Sequence, residues 1–72
     1  MKEPAPIKIN CEGLSTKYIN QLADDLNMMF EDVEIKGEYI IASKPFPFCN
    51  RYLENTVQLC EQYGVWCEEI KS

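Results

Sequence analysis

Two hydrophobic periods alternate along this chain, and their order leaves few folds open. Residues 7–12 set Ile7, Ile9 and Cys11 against Lys8, Asn10 and Glu12, the period-two spacing of a strand with one buried face. Residues 15–30 switch to steps of three and four, which gather Ile19, Leu22, Ala23, Leu26, Met29 and Phe30 into one helical stripe. Ser15 is the expected N-cap, with Thr16 its competitor. Period two returns on both sides of Gly37, whose tolerance of positive φ suits a tight hairpin. If Gly37 and Glu38 form a type II′ loop, Lys36 faces Tyr39, Ile35 faces Ile40, Glu34 faces Ile41 and Val33 faces Ala42. That register sends Val33, Ile35, Ile40 and Ala42 to the core and Tyr39 and Ile41 to the other side. A slip of one residue would invert both sets.

Pro45 and Pro47 end the strand by blocking further pairing. Residues 47–63 resume helical spacing, with Cys49, Tyr52, Leu53, Thr56, Val57, Cys60 and Tyr63 turned inward. Gly64 stands where a helix C′ glycine belongs. Residues 65–71 read as a last strand, with Val65 and Cys67 inward and Trp66 and Glu68 outward.

Strand, helix, strand, strand, helix, strand in 72 residues leaves almost no spare linker. The order predicts an α+β fold of the ferredoxin-like βαββαβ kind. That is a two-layer sandwich, a four-stranded antiparallel sheet with two helices on one face. In that arrangement the strands run fourth, first, third, second, and right-handed crossovers put both helices on one side. Residues 1–6, with two prolines and no period, form a short extended arm, and residues 7–72 a single α+β domain. A chain of this size buries only roughly 60% of its unfolded surface, so an enclosed active site is not expected.

The uncovered sheet face is the first candidate surface. It would carry Tyr39, Ile41, Trp66 and Lys8, with Asn10, Glu34, Lys36 and Glu68 around them. Tyrosine and tryptophan are enriched at binding hot spots, and contiguous exposed apolar surface marks interaction sites. Such residues also favour strands for their own sake.

Charge and cysteine content narrow the partners. Twelve acidic against seven basic residues give a net charge of −5, which repels phosphate backbones and anionic membranes. No apolar run approaches a membrane span, and residues 1–6 hold no leader-like apolar stretch. The expectation is therefore a cytoplasmic chain in a reducing setting, with Cys11, Cys49, Cys60 and Cys67 acting as small core residues. An even cysteine count also permits two disulfides, in three connectivities.

Chemical motifs are sparse. The chain has no histidine and no two cysteines at zinc-knuckle spacing, so no cofactor or metal is expected. Heavy-metal chaperones of the ferredoxin-like fold carry a CxxC after the first strand, where this chain has Cys11-Glu12-Gly13-Leu14. RNA-recognition domains of that fold set aromatics among basic residues, a pattern that Tyr39 alone meets. Without histidine, Cys-His and Ser-His nucleophiles cannot form, and the carboxylate pairs Asp24-Asp25 and Glu68-Glu69 diverge. No phosphate-binding glycine loop is present.

One acidic constellation remains: Asp24, Asp25, Glu31, Asp32, Glu34 and Glu38. In size and charge the chain is similar to small acidic inhibitors of phages and mobile elements, which mimic nucleic-acid phosphates. That resemblance implies a basic protein partner. The reading favoured by the residues themselves is a non-enzymatic protein-interaction module, working through its open sheet face or a strand edge. Its partner is another protein or a second copy of the chain. The acidic mimic and a small-ligand regulatory domain are the alternatives.

Overall fold

The computed structural model describes residues 5–47 and 50–70. It holds β1 (Ile7–Asn10), α1 (Thr16–Leu26), β2 (Phe30–Lys36), β3 (Tyr39–Pro45), α2 (Tyr52–Tyr63) and β4 (Trp66–Glu69). The four strands form one antiparallel sheet in the order β2-β3-β1-β4. This is the expected order read from the opposite edge. Residues 1–4 of the expected arm, inward Cys49 and terminal Lys71 lie outside the described residues.

The core is built from one side of the sheet. Ile7 and Ile9 of β1 and Ile40 and Ala42 of β3 are buried with Ile19, Leu22, Ala23 and Leu26 of α1 and Cys60 of α2. Both helices therefore cover the same face. The hairpin pairs Lys36 with Tyr39, Ile35 with Ile40, Glu34 with Ile41 and Val33 with Ala42, the register that a Gly37-Glu38 loop demands. Gly37 supplies the positive φ of 63°.

Several boundaries differ from the spacing alone. The apolar stripe predicts a helix through Phe30, but α1 stops at Leu26. Asp24 and Asp25 stand in its last turn with no basic residue beside them, where the helix dipole disfavours negative charge. The backbone then tightens, with Met28 N–H bonding Asp25 and Met29 N–H bonding Leu26. Met29 and Phe30 keep their apolar role but serve the turn and β2. Phe30 is buried edge-on against Tyr52, with ring centroids 5.7 Å apart. Phe30 and Val33 both reach the core, an odd spacing that a regular strand cannot give. Across the ladder from this stretch, Lys44 takes a left-handed φ of 59°.

Pro45 is part of β3 rather than beyond it, paired with Phe30 at the end of the ladder. The second helix begins at Tyr52, five residues after the expected Pro47. Its inward face is Tyr52, Thr56, Leu59, Cys60 and Tyr63. Thr56 is fully buried, and its hydroxyl donates to the Tyr52 carbonyl at 2.6 Å, so burial leaves no polar group unpaired. Leu53 and Val57, expected inward, are 40% and 46% exposed, one helical step round from that face. Ile35, also expected inward, is 46% exposed because it overhangs the β2 edge near the hairpin tip. Gly64 closes α2 in a Schellman motif: φ is 73°, and the N–H groups of Gly64 and Val65 reach the carbonyls of Glu61 and Cys60.

Leu22→Ala and Leu53→Ala remove the same atoms from different surroundings. Urea unfolding of the two variants is expected to show a loss of about 2–5 kcal/mol for Leu22, which is fully buried. For Leu53 the loss should stay below about 1 kcal/mol. Equal losses would contradict the orientation of α2.

Candidate functional site

The sheet face away from the helices is organised as two rows that cross all four strands. One runs Lys36, Tyr39, Asn10, Trp66, and the next runs Glu34, Ile41, Lys8, Glu68. Directly opposed residues share a face, so all eight side chains project to the same side. Sequence alternation assigned Tyr39, Ile41, Trp66 and Lys8 to one surface, and the register brings them together.

Within that surface the charges are arranged in compensating positions. Lys8 Nζ lies 4.7 Å from the Tyr39 ring centroid, a cation–π contact. Lys8 also stands between Ile41 and Glu68 in its row. Lys36 pairs with Glu34 at 3.4 Å, an exposed contact that contributes little to stability. Two positive and two negative side chains leave the two rows neutral on a molecule of net charge −5. Tyr39 and Ile41 are half-buried, while Trp66 is 59% exposed. Lys8, Tyr39, Ile41, Glu68, Glu69 and Ile70 line an open depression of about 470 Å³. Glu69 and Ile70 are the members not expected there; Ile70 shares the parity of Trp66 and Glu68, whereas Glu69 lies opposite Ile7. Ile70 is exposed at the end of the sheet. It lies just past β4, where its N–H bonds the Pro6 carbonyl at 2.8 Å.

The six acidic residues are not gathered in the same way. Asp24 is exposed on α1. Asp25 accepts a hydrogen bond from the Tyr63 hydroxyl at 3.1 Å. Glu34 belongs to the Lys36 pair, and Asp32 lies opposite Ser43. Glu31 and Glu38 are both exposed but lie towards opposite ends of the β2–β3 hairpin, roughly 20 Å apart along the strand.

Two further surfaces were not foreseen. A shallow groove between the helices is lined by Asp25, Met28, Met29, Asn55, Gln58 and Leu59, with Gln62 at its end. The polar steps of three and four from Asn55 to Gln62 could have revealed it. On the outer side of α2, Leu53 and Val57 form an exposed apolar pair with Glu54 and Gln58.

Cys11, Cys60 and Cys67 are free thiols, the first two buried and the third half-buried. Burial pushes the Cys11 thiol up, and its Sγ donates to the Ile9 carbonyl at 3.7 Å. Cys60 is pushed up from its ordinary 9.0 to about 12, first by burial and then by neighbouring Cys67 and Cys11. Among the described residues, no three histidine, cysteine or carboxylate side chains are grouped to hold a metal ion. Desolvation first, then the hydrogen bond to and charge of Asp25, raise the Tyr63 hydroxyl above the usual phenol range. The Tyr63 ring also meets Tyr18 edge-on at 6.5 Å.

Compared with known protein families, curated proteins and solved structures, the chain has no significant match. No helix among the described residues is long and apolar enough to cross a membrane.

Both raised groups are neutral when protonated, so each stabilises the fold at lower pH and the contribution disappears as the pH passes the folded value. For Cys60 the loss should run from pH 9.0 to about 12. Urea unfolding across that window is expected to show falling stability, with a shallower fall in Cys60→Ala and in Tyr63→Phe. A slope unchanged in both variants would contradict these assignments.

Proposed function

We propose that this chain is a non-enzymatic protein-interaction module that docks a partner on its open sheet face, in the simplest case a second copy of itself. The observation that carries this reading is the two-row surface. Trp66, Tyr39 and Ile41 present apolar area among charges that cancel. On a molecule of net charge −5, a neutral face is where a second acidic copy is least repelled. An isologous pairing about an axis along the rows would set Lys36 of one copy against Glu34 of the other.

The wider reading is a ferredoxin-like sandwich working in the cytoplasm. The strand order β2-β3-β1-β4 and both helices packed on one core support the fold. The separation of Glu31 from Glu38, and the engagement of Asp25 with Tyr63 and of Glu34 with Lys36, favour the sheet face over a phosphate-mimicking patch.

Light scattering across a concentration series tests the proposal. The expected result is a dimeric mass that Trp66→Glu abolishes and Leu53→Glu leaves intact. A monomer at every concentration would remove the second copy as partner. A dimer broken by Leu53→Glu and not by Trp66→Glu would move the interface to α2.

A further inference from the structure

Cys60 and Cys67 flank the turn that joins α2 to β4, and both pack in the cluster that holds the distant Cys11. Cys67 lies opposite Ile9, which places it on the core face of the edge strand. Cys60 sits in the last turn of α2, and its carbonyl accepts the Val65 N–H at 2.9 Å. The Schellman closure therefore turns the helix straight into β4, and only residues 61–66 separate the two cysteines. Cys67 packs against the buried cluster that contains Cys60 and Cys11. Cys67 is also near enough to Cys60 to raise its thiol, after burial.

We propose that Cys60 and Cys67 form a reversible intramolecular disulfide, by exchange with a low-molecular-weight disulfide of the glutathione type, that fastens the end of α2 to β4. The two thiols have different access. Cys67 is half-buried on an edge strand and can meet a reagent, whereas Cys60 is 2% exposed and cannot. Cys67 therefore reacts first. Its thiolate attacks one sulfur of oxidised glutathione, a mixed disulfide forms, and one glutathione leaves as thiolate.

Cys60 then loses its proton to solvent and attacks the Cys67 sulfur, releasing the second glutathione. Two protein thiols are oxidised to one disulfide, and one glutathione disulfide is reduced to two thiols. The second step is intramolecular across a short, fixed turn, which compensates for the reluctance of a buried thiol to ionise. Cys11 is the competing partner. It is 1% exposed, and its Sγ is turned back to the Ile9 carbonyl of its own segment. The link lies on the helix side of the sheet, away from the face proposed for docking, so either proposal can fail without the other.

The test is incubation of the folded chain with oxidised glutathione, followed by intact mass and peptide mapping. A glutamate-specific protease cuts at Glu61 and leaves Cys60 and Cys67 on separate peptides. The main product should be lighter by two hydrogens, carry no glutathione, and yield those peptides joined. Cys60→Ala should trap a glutathione adduct on Cys67, Cys67→Ser should give neither link nor adduct at Cys60, and Cys11→Ala should link normally. A lasting adduct on wild-type Cys67, or a link through Cys11 or Cys49, would overturn the proposal. Mapping of the wild-type chain decides this even if a variant fails to fold.

Discussion

Ile9 lies opposite Ile40 on one side and Cys67 on the other, and this pairing holds one side of the sheet against Leu22 and Leu26. The rest of the molecule depends on it. A slip of one residue between β1 and its neighbours would put Lys8 and Asn10 under the helices and expose Ile7 and Ile9. Burying Ile7, Ile9 and Ile40 is worth roughly 5–9 kcal/mol in all by area bookkeeping. That is comparable with the whole stability of about 4–11 kcal/mol expected for 72 residues. The register is therefore not a detail of the fold but the condition for having one.

The open face follows from the same pairing. Because side chains alternate strictly along a strand, committing Ile7, Ile9, Ile40 and Ala42 to the helices commits Lys8, Asn10, Tyr39 and Ile41 to the opposite side. Trp66 and Glu68 join them through β4. The face is thus a consequence of core formation. Its contents are less dictated: alanine or threonine at position 66 would satisfy the strand, whereas tryptophan leaves a large apolar ring mostly in water.

Alternation made the strands and this face legible in the sequence, but the turn chemistry around Gly37 did not by itself exclude a one-residue slip, and the observed ladder decides the register. The helices were less legible at their ends. Met29 and Phe30 continue a helical stripe in sequence, but Asp24 and Asp25 at the C-terminal end of α1 oppose its extension, so these apolar residues enter a turn and a strand. In α2 the expected inward residues Tyr52, Thr56, Cys60 and Tyr63 face the core, but the buried stripe is centred so that Leu59 joins it while Leu53 and Val57 fall at its exposed margin, a rotation that apolar spacing alone does not fix. The meeting of Cys60 with Cys67 depends on how tightly Gly64 folds the chain back, which spacing does not encode.

The most direct measurement of the central claim is the nuclear Overhauser pattern of the Trp66 indole. If the register leaves this ring on a face with no helix above it, the indole protons contact the Asn10 side chain across the β1–β4 ladder and show nothing to Leu22, Leu26 or Cys60. Indole contacts to those core residues would mean that β4 is turned over. The surface on which the functional reading rests would then not exist.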